Sequence, residues 1–365
     1  MKGLILGKFM PPHQGHLALW RFAMQQCDQL TILVESRPDE PISAEHRKRW
    51  IKEELSFYWA DRCQLNIQVL EGDHPQTPEQ HPDFWNYWET LLWPYAKEAT
   101  HLFASDDYGL PLSKTLNLEW VPFERHPIPT SATQLRQTPW QAWSYWLDAV
   151  KKDCAKRIVL LGPESTGKST IGNKLAQHYQ TVFVPEYAEH WIRRKNISTQ
   201  HLRYEDYDQF LRGQKASRLS MATRANRFYI EDSNALTTLL YEQITFGQAR
   251  SSTLEAAKHD VPDAVLLFNP QHAPWVTDAH RGHEEPDRMG FLTQIQSFMA
   301  EHWPRTEIGM IDGKNWLARE QQALDLVAGW ESEWMHQPFR EWVHGLEHTD
   351  PIAYKKQSSS SKRTP

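Results

Sequence analysis

Cysteine is scarce in this 365-residue sequence: there are three, Cys27, Cys63 and Cys154, far apart and odd in number. That argues against a disulfide framework and fits a reducing compartment, so a cytoplasmic protein is expected. No C-x-x-C pair or His/Cys cluster marks a structural zinc. No apolar run approaches the roughly 18 residues needed to cross a bilayer, so no membrane partner is expected. The start, MKGLILGKFMPPHQGH, passes from a short apolar stretch straight into a Pro/His/Gly turn and does not read as a secretory signal. A basic excess is also lacking: 40 Lys+Arg face 46 Asp+Glu, a formal net charge of −6. This argues against a nucleic-acid partner but leaves room for small anions held by local positive charge. No tandem repeat of roughly 20–50 residues is visible. What is present is ordinary globular usage, 40% hydrophobic and 24% charged. The length calls for two cores, since single cores stop growing near ~250–300 residues.

Apolar runs place the elements. Leu4–Leu6 and Leu30–Val34 read as strands around a helix over Leu17–Gln26, the strand–helix–strand unit of a parallel sheet. Ser43 is a candidate N-cap for a helix over Arg47–Leu55. Leu65–Leu70, His101–Ala104 and Trp120–Phe123 read as strands and Phe84–Lys97 as a helix. Trp140, Trp143, Trp146 and Leu147 recur at helical spacing and predict one amphipathic helix over 139–156, either linking two domains or closing the first. The pattern then restarts: a strand at Arg157–Leu161, a helix at Thr170–His178, and strands at Thr181–Val184, Arg227–Glu231 and Ala264–Phe268. The expected architecture is α/β: a Rossmann-like domain over 1–138, the linking helix, a P-loop domain over 157–345 and a disordered polar tail over 346–365.

The second half carries GPESTGKS at 162–169, a G-x-x-x-x-G-K-S loop between a predicted strand and helix. Gly162, Glu164, Ser165, Thr166 and Gly167 would wrap backbone N–H groups around phosphate oxygens, with a helix N-terminus behind them. Lys168 can reach the β and γ phosphates, Ser169 can ligate Mg²⁺, and Thr170 can support the loop. Asp232, at the end of the strand 227–231, is the candidate second metal ligand; as a bare turn or cap aspartate it would have no such role. Glu186 can accept a proton from a substrate hydroxyl, or be a surface glutamate. Arg281 and Arg288 could clamp a transferring phosphoryl group or simply be solvated. Phosphoryl transfer is favoured, with the acceptor unnamed.

The first half opens with GKFMPPHQGH at 7–16. Gly7, Pro11 and Gly15 shape a tight turn, and His13 and His16, three apart at a helix start, can share one face toward a triphosphate. Such a site would stabilise a pentavalent phosphate electrostatically, without a nucleophile. A His-x-x-His metal pair and plain helix caps are the alternatives. TSATQLR at 130–136 adds Ser131, Thr133 and Arg136, a second anion-binding pattern that is also ordinary N-cap sequence.

GKFMPPHQGH resembles the (H/T)-x-G-H motif of the nucleotidyltransferase superfamily, and TSATQLR the S-x-T-x-x-R motif of its adenylyltransferases. With the P-loop half behind them, residues 1–335 resemble the bifunctional nicotinamide mononucleotide adenylyltransferase/ribosylnicotinamide kinase, or NadR-like, family. Smaller matches are Arg47 with Trp50, FWNYW at 84–88, DDYG at 106–109, PEYA at 185–188, ALTTLLY at 235–241, PWVTD at 274–278 and the arginine ending IDGKNWLAR at 311–319. The resemblance implies NAD salvage from ATP·Mg²⁺, nicotinamide riboside and nicotinamide mononucleotide. Gly7, Phe9, His13, His16, Ser131, Thr133 and Arg136 would hold one ATP and the P-loop a second. Trp85, Trp88, Glu186, Tyr187, Asp232 and Arg281 would meet the pyridine substrates, with an aromatic face stacking on the pyridinium ring. It also suggests a homo-oligomer. With the first strand open by residue 4, no DNA-binding module is expected ahead of it. Three positions depart from the family pattern: Asp232-Ser233-Asn234 stands where Asp-Thr-Asp is usual, Glu189 where arginine is, and Ala279 where glycine is. The altered triplet at 232–234 keeps a nucleotide-sensing regulator with slow turnover in view, and another fused adenylyltransferase is the second alternative.

Overall fold

The structure is a computed structural model that describes residues 1–56, 63–124, 131–276 and 287–343. It forms two compact units, Met1–Cys154 together with the chain from Gln337 on, and Ala155–His336.

The first unit is built on β1 (Lys2–Gly7), α1 (Gln14–Met24), β2 (Gln29–Ser36), α2 (Ala44–Ser56) and β3 (Gln64–Glu71). It continues through α3 (Phe84–Ala96), β4 (His101–Ala104), α4 (Gly109–Thr115), β5 (Glu119–Pro122), α5 (Ala132–Gln137) and α6 (Asp148–Cys154). Its sheet is parallel, in the order β3-β2-β1-β4-β5. Leu4 and Ile5 of β1 are fully buried, as a central strand covered on both faces requires. Ser43 does precede α2 as expected, its Oγ accepting the His46 N–H at 3.3 Å.

The region 139–156 differs from its expected single helix. A single 3₁₀ turn spans Trp143–Tyr145, Trp146 is extended, and α6 follows. The cause is tertiary. Trp146 forms an isolated antiparallel bridge with His13, which requires extended backbone there, and Trp140, Trp143, Trp146 and Leu147 are all buried. The short helix α14 (Phe339–Val343) also departs from the expected boundary at 345: it groups with the first unit, where Phe339 packs edge-on against Trp146 at 6.3 Å. The tail over 346–365 lies outside the described residues.

The second unit runs β6 (Lys156–Leu161), α7 (Lys168–His178), β7 (Phe183–Val184), α8 (Tyr187–Lys195), α9 (Tyr204–Ala222) and β8 (Phe228–Asp232). It then adds α10 (Ala235–Phe246), α11 (Ser251–His259), β9 (Ala264–Phe268), α12 (Arg288–His302), β10 (Glu307–Ile311) and α13 (Trp316–His336). The sheet is again parallel, in the order β10-β9-β6-β8-β7. In both sheets the order reverses at the first strand of the unit, β1 or β6, so a crevice opens at that strand's carboxyl end. Among the described residues, no helix is long and apolar enough to cross a membrane.

A buried charge cluster ties β6 and β8 to the chain around Asp260. Arg157 bonds Glu231 at 2.5 Å and Asp260 at 2.8 Å, and Arg218 bonds Asp260 at 2.8 Å. Burial alone would raise the Asp260 pKa, but the two guanidinium groups outweigh it and hold the carboxyl well below the usual carboxylate range. Its stabilising effect is therefore present above about pH 4 and lost as pH falls through the depressed native value. Asp260→Asn is expected to destabilise the second unit by about 3 kcal/mol at neutral pH, with the gap to wild type closing toward acid. Urea midpoints measured across that range check both; a gap independent of pH would contradict the pairing.

Candidate functional site

The first unit presents its motif at the carboxyl end of β1. Phe9 takes a left-handed φ of 49°. Its ring folds back over Gly7, where a Cβ would come within 2.8 Å of it. That ring packs edge-on against His16 and Trp20, at 5.0 and 5.3 Å, and is buried. His13 is the N-cap of α1. Its Nδ1 accepts the Gly15 N–H at 3.1 Å, while His16 Nδ1 accepts the His13 N–H at 3.3 Å. A backbone N–H can only donate, so both imidazoles carry their proton on Nε2. The two rings lie 3.8 Å apart. Capping and phosphate recognition are thus compatible: the caps fix the tautomer that makes each Nε2 a donor.

Arg136 brings the second motif to the first. Its Nη1 donates to the Met10 carbonyl at 2.6 Å and its Nη2 to Thr133 Oγ1 at 3.1 Å. Ser131 caps α5, accepting from the Gln134 N–H at 3.2 Å. The loop 7–16 and Ser131, Thr133 and Arg136 therefore form one cluster.

Arg47 makes a larger contribution than its appearance in a sequence match suggests. It is fully buried and donates to the Lys8 carbonyl at 2.7 Å, the Glu35 carbonyl at 3.1 Å, Ser36 Oγ at 2.6 Å and Glu40 at 2.8 Å. It thereby fastens the loop after β1 to the end of β2. Lys8 faces the same acids, 3.1 Å from Glu40 and 3.7 Å from Glu35. Burial pushes the Glu35 carboxyl up, against the pull of Lys8. Tyr108, at the head of α4, donates its hydroxyl to the Leu6 carbonyl at 2.8 Å. Trp88 does not present an open face: it is buried, with its indole N–H on the Pro75 carbonyl at 3.1 Å. Trp85 is partly buried against the same core and stacks edge-on with Phe84 at 5.0 Å.

In the second unit, residues 162–169 lie between β6 and α7, at the carboxyl end of the central strand. Gly162 (φ 141°) and Gly167 (φ 89°) adopt backbone that only glycine takes without strain, and Ser165 also has positive φ, 59°. A Cβ on Gly162 would meet the Phe268 carbonyl at 2.7 Å. Lys168 Nζ donates to the carbonyls of Gly162 and Pro163, both at 2.9 Å. Thr166 is buried, with its hydroxyl on the Pro163 carbonyl at 2.8 Å, and Glu164 accepts from Tyr241 at 3.0 Å. Ser165 Oγ pairs with the Val276 backbone at 3.3 Å. Ser169 and Thr170 are exposed on the first turn of α7. A buried arginine recurs here: Arg319 donates to the carbonyls of Gly313 (2.9 Å), Thr166 (3.3 Å) and Asn269 (2.8 Å).

Asp232 ends β8, the neighbour of β6, and its Oδ2 accepts the Ser169 hydroxyl. Its Oδ1 is buried with no hydrogen-bond partner among the described residues. That is the donor set a hard cation would complete, a hydroxyl and a carboxylate with spare lone pairs. Among the described residues, no group of three His, Cys, Asp or Glu side chains could hold a metal by protein ligands alone. Glu186 precedes α8 and accepts from Ser233 Oγ at 3.4 Å. Burial and the nearby Asp232 push its carboxyl up, to about 8, against Lys168. Asp232 is likewise raised by burial, against Lys168 and the Ser169 hydrogen bond. Tyr187 packs its ring on Gly213 of α9 and takes a hydrogen bond from Gln209 at 3.0 Å. Arg288 turns back to the Ala273 carbonyl at 2.9 Å. Arg281 and Ala279 lie outside the described residues.

The family departures that can be seen have local roles. Asn234 is buried at the N-cap of α10, accepting the Leu236 N–H at 3.1 Å and donating to the Asp260 carbonyl at 3.3 Å. Glu189 pairs with Arg193 along α8 at 2.9 Å.

Comparison with known proteins agrees with both halves. The AAA domain family model matches residues 157–312. The chain is homologous to the trifunctional NAD biosynthesis/regulator protein NadR of Salmonella typhimurium, at 26% identity over 82% of this chain and 76% of that protein. The NadR of Escherichia coli is 24% identical over 89% of this chain and 82% of that protein. Among solved structures, a NadR protein in complex with NR shares the fold, with a TM-score of 0.69 at 20% identity, covering 90% of this chain and 95% of that one. The same values hold for a NadR protein in complex with NAD and AMP-PNP.

Because Asn234 both caps α10 and donates, Asn234→Asp keeps the cap and loses the donor against a carbonyl. The second unit is expected to lose about 1 kcal/mol, read from its denaturant midpoint. Unchanged or greater stability would contradict the capping geometry.

Proposed function

We propose that this chain makes NAD in two steps, one per unit. The second unit phosphorylates the 5′ hydroxyl of nicotinamide riboside with ATP. The first joins the resulting mononucleotide to AMP from another ATP and releases pyrophosphate. The observation that carries this reading is that one chain holds two different loops with phosphate-binding sequence patterns, each at the carboxyl end of its sheet's central strand.

In the first unit, an oxygen of the mononucleotide phosphate attacks the α-phosphorus of ATP. The bond from that phosphorus to the β-phosphate's bridging oxygen breaks, and pyrophosphate carries the charge away. His13 and His16 donate through Nε2, and Arg136 adds a fixed positive charge. These groups stabilise charge that grows in the transition state, so no covalent intermediate is needed. Arg47 keeps the loop in register as a positioning residue.

In the second unit, backbone N–H groups of 163–169 and Lys168 hold the donor phosphates. Ser169 and Asp232 would hold a divalent ion, Mg²⁺ in the cell, which when bound neutralises charge on the β and γ oxygens. Burial and Asp232 favour the protonated form of the half-buried Glu186, and Lys168 favours the ionised form. In that ionised form it accepts the proton of the substrate hydroxyl as the γ-phosphoryl group passes from ATP to the hydroxyl oxygen and ADP leaves. Asn234, where the family pattern has a second aspartate, has a structural role of its own at the head of α10. The ligands are small nucleotides, and the cytoplasm, where ATP and Mg²⁺ meet, is the expected compartment.

Two variants separate the steps. Lys168→Ala should cut ADP formation from the riboside by about 10²–10³ and leave NAD formation from the mononucleotide within about twofold. His16→Ala should do the reverse. Chromatographic assays of each half-reaction, with circular dichroism to confirm folding, read the result. Loss of both activities in either folded variant would contradict the division of labour.

A further inference from the structure

Trp316 stands apart from the other large aromatic side chains of the second unit. It opens α13 directly after the loop that follows β10, and it is 51% exposed. Its six-membered ring rests on the P-loop: a Cβ built on Gly167 would lie 2.1 Å from its Cζ3 and 2.6 Å from its Cη2. An exposed indole is costly to leave in water, and this one lies against the residue that precedes Lys168. One part of the ring touches the phosphate loop and the rest faces solvent.

Three polar side chains near it are engaged within the loop. Asn315 Oδ1 accepts the Ala318 N–H at 2.9 Å and so caps α13. Gln322 accepts from the Gly313 N–H at 2.8 Å and donates to Asp312 at 2.8 Å. Arg319 spends its guanidinium on the carbonyls of Gly313, Thr166 and Asn269. Among the described residues, these side chains next to the P-loop therefore offer an aromatic face and few uncommitted polar groups to read the edge of a base.

Resting on the kinase reading above, we propose that Trp316 is the platform on which the base of the phosphoryl donor stacks, and that the donor site takes purine nucleoside triphosphates of either kind. The triphosphate chain lies in 162–169, and the nucleoside leaves it past Gly167 and the start of α7. Every base has a π face, so stacking binds without choosing among them. Trp316 then binds ground state and transition state alike, which lowers KM without altering kcat.

The test is steady-state phosphorylation of nicotinamide riboside, followed by nucleoside diphosphate release, with ATP and with GTP as donors. Inorganic tripolyphosphate, which has no base, serves as a competing ligand. Wild type should use both donors with KM values within about fivefold of each other. Trp316→Ala should raise both KM values about tenfold with kcat within about twofold, and Trp316→Phe should recover most of the loss. The inhibition constant of tripolyphosphate should not move. An equal weakening of tripolyphosphate would mean that Trp316 only shapes the loop, which overturns the inference. So would an unchanged KM for ATP in Trp316→Ala. A wild-type preference for ATP above about a hundredfold would overturn the base tolerance. No riboside phosphorylation by wild type, with either donor, would instead overturn the kinase reading itself.

Discussion

Backbone N–H groups at the end of a central parallel strand have no partner in the sheet, and an anion can supply one. Both units depend on this. In each sheet the strand order reverses at the first strand, so the loop leaving it is flanked by connections running to opposite sides and stays open at the carboxyl end. In the second unit the open loop leads into Lys168 at the start of α7, and in the first into Gln14 at the start of α1. Dipole and unsatisfied donors point the same way in each case. In the proposed function the side chains then decide what would be done with a bound phosphate: imidazoles in one unit, a lysine with a hydroxyl–carboxylate pair in the other.

An open loop of this kind must also be kept from collapsing. Each unit does so with a buried arginine that donates to loop carbonyls. Arg47 holds the Lys8 carbonyl, and Arg319 holds that of Thr166. Burying a guanidinium is costly unless its donors are met, and here they are met by several carbonyls and, for Arg47, by Glu40. Carbonyls engaged in this way are satisfied within the protein. Arg136 does the same on a smaller scale, tying the Met10 carbonyl to the second motif of the first unit.

Much of this was legible in the sequence, for physical reasons. Continuous apolar runs mark strands buried on both faces, and Leu4–Leu6, Leu30–Val34 and Arg157–Leu161 fall where strands form. The Gly-Lys-Ser loop could be read because left-handed backbone at 162 and 167 demands glycine. Other features were hidden because they depend on distant partners. The tryptophans at 140, 143 and 146 have helical spacing, yet pairing of Trp146 with His13 pulls the chain out of helix. Edge strand β10 has a glycine at its centre and two of its five residues exposed, so its apolar pattern is weak. Arg47 and Arg319 look like solvated helix positions in a linear reading. The role of Asn234 at the head of α10 depends on the distant Asp260 carbonyl and is likewise not visible in a linear reading. Seventeen tryptophans could not be sorted by sequence; burial separates Trp88, which is spent on the core, from Trp316, which is not.

The central claim is that two phosphate sites in one chain act in series on one pyridine nucleoside. The most direct test is a stoichiometry: wild-type protein with ring-labelled nicotinamide riboside, ATP and Mg²⁺, with all products separated over time. The account requires label to pass through the mononucleotide into NAD, with one ADP and one pyrophosphate formed for each NAD. Label that stops at the mononucleotide, with ADP but no pyrophosphate, would contradict it, as would NAD formed without a matching yield of ADP.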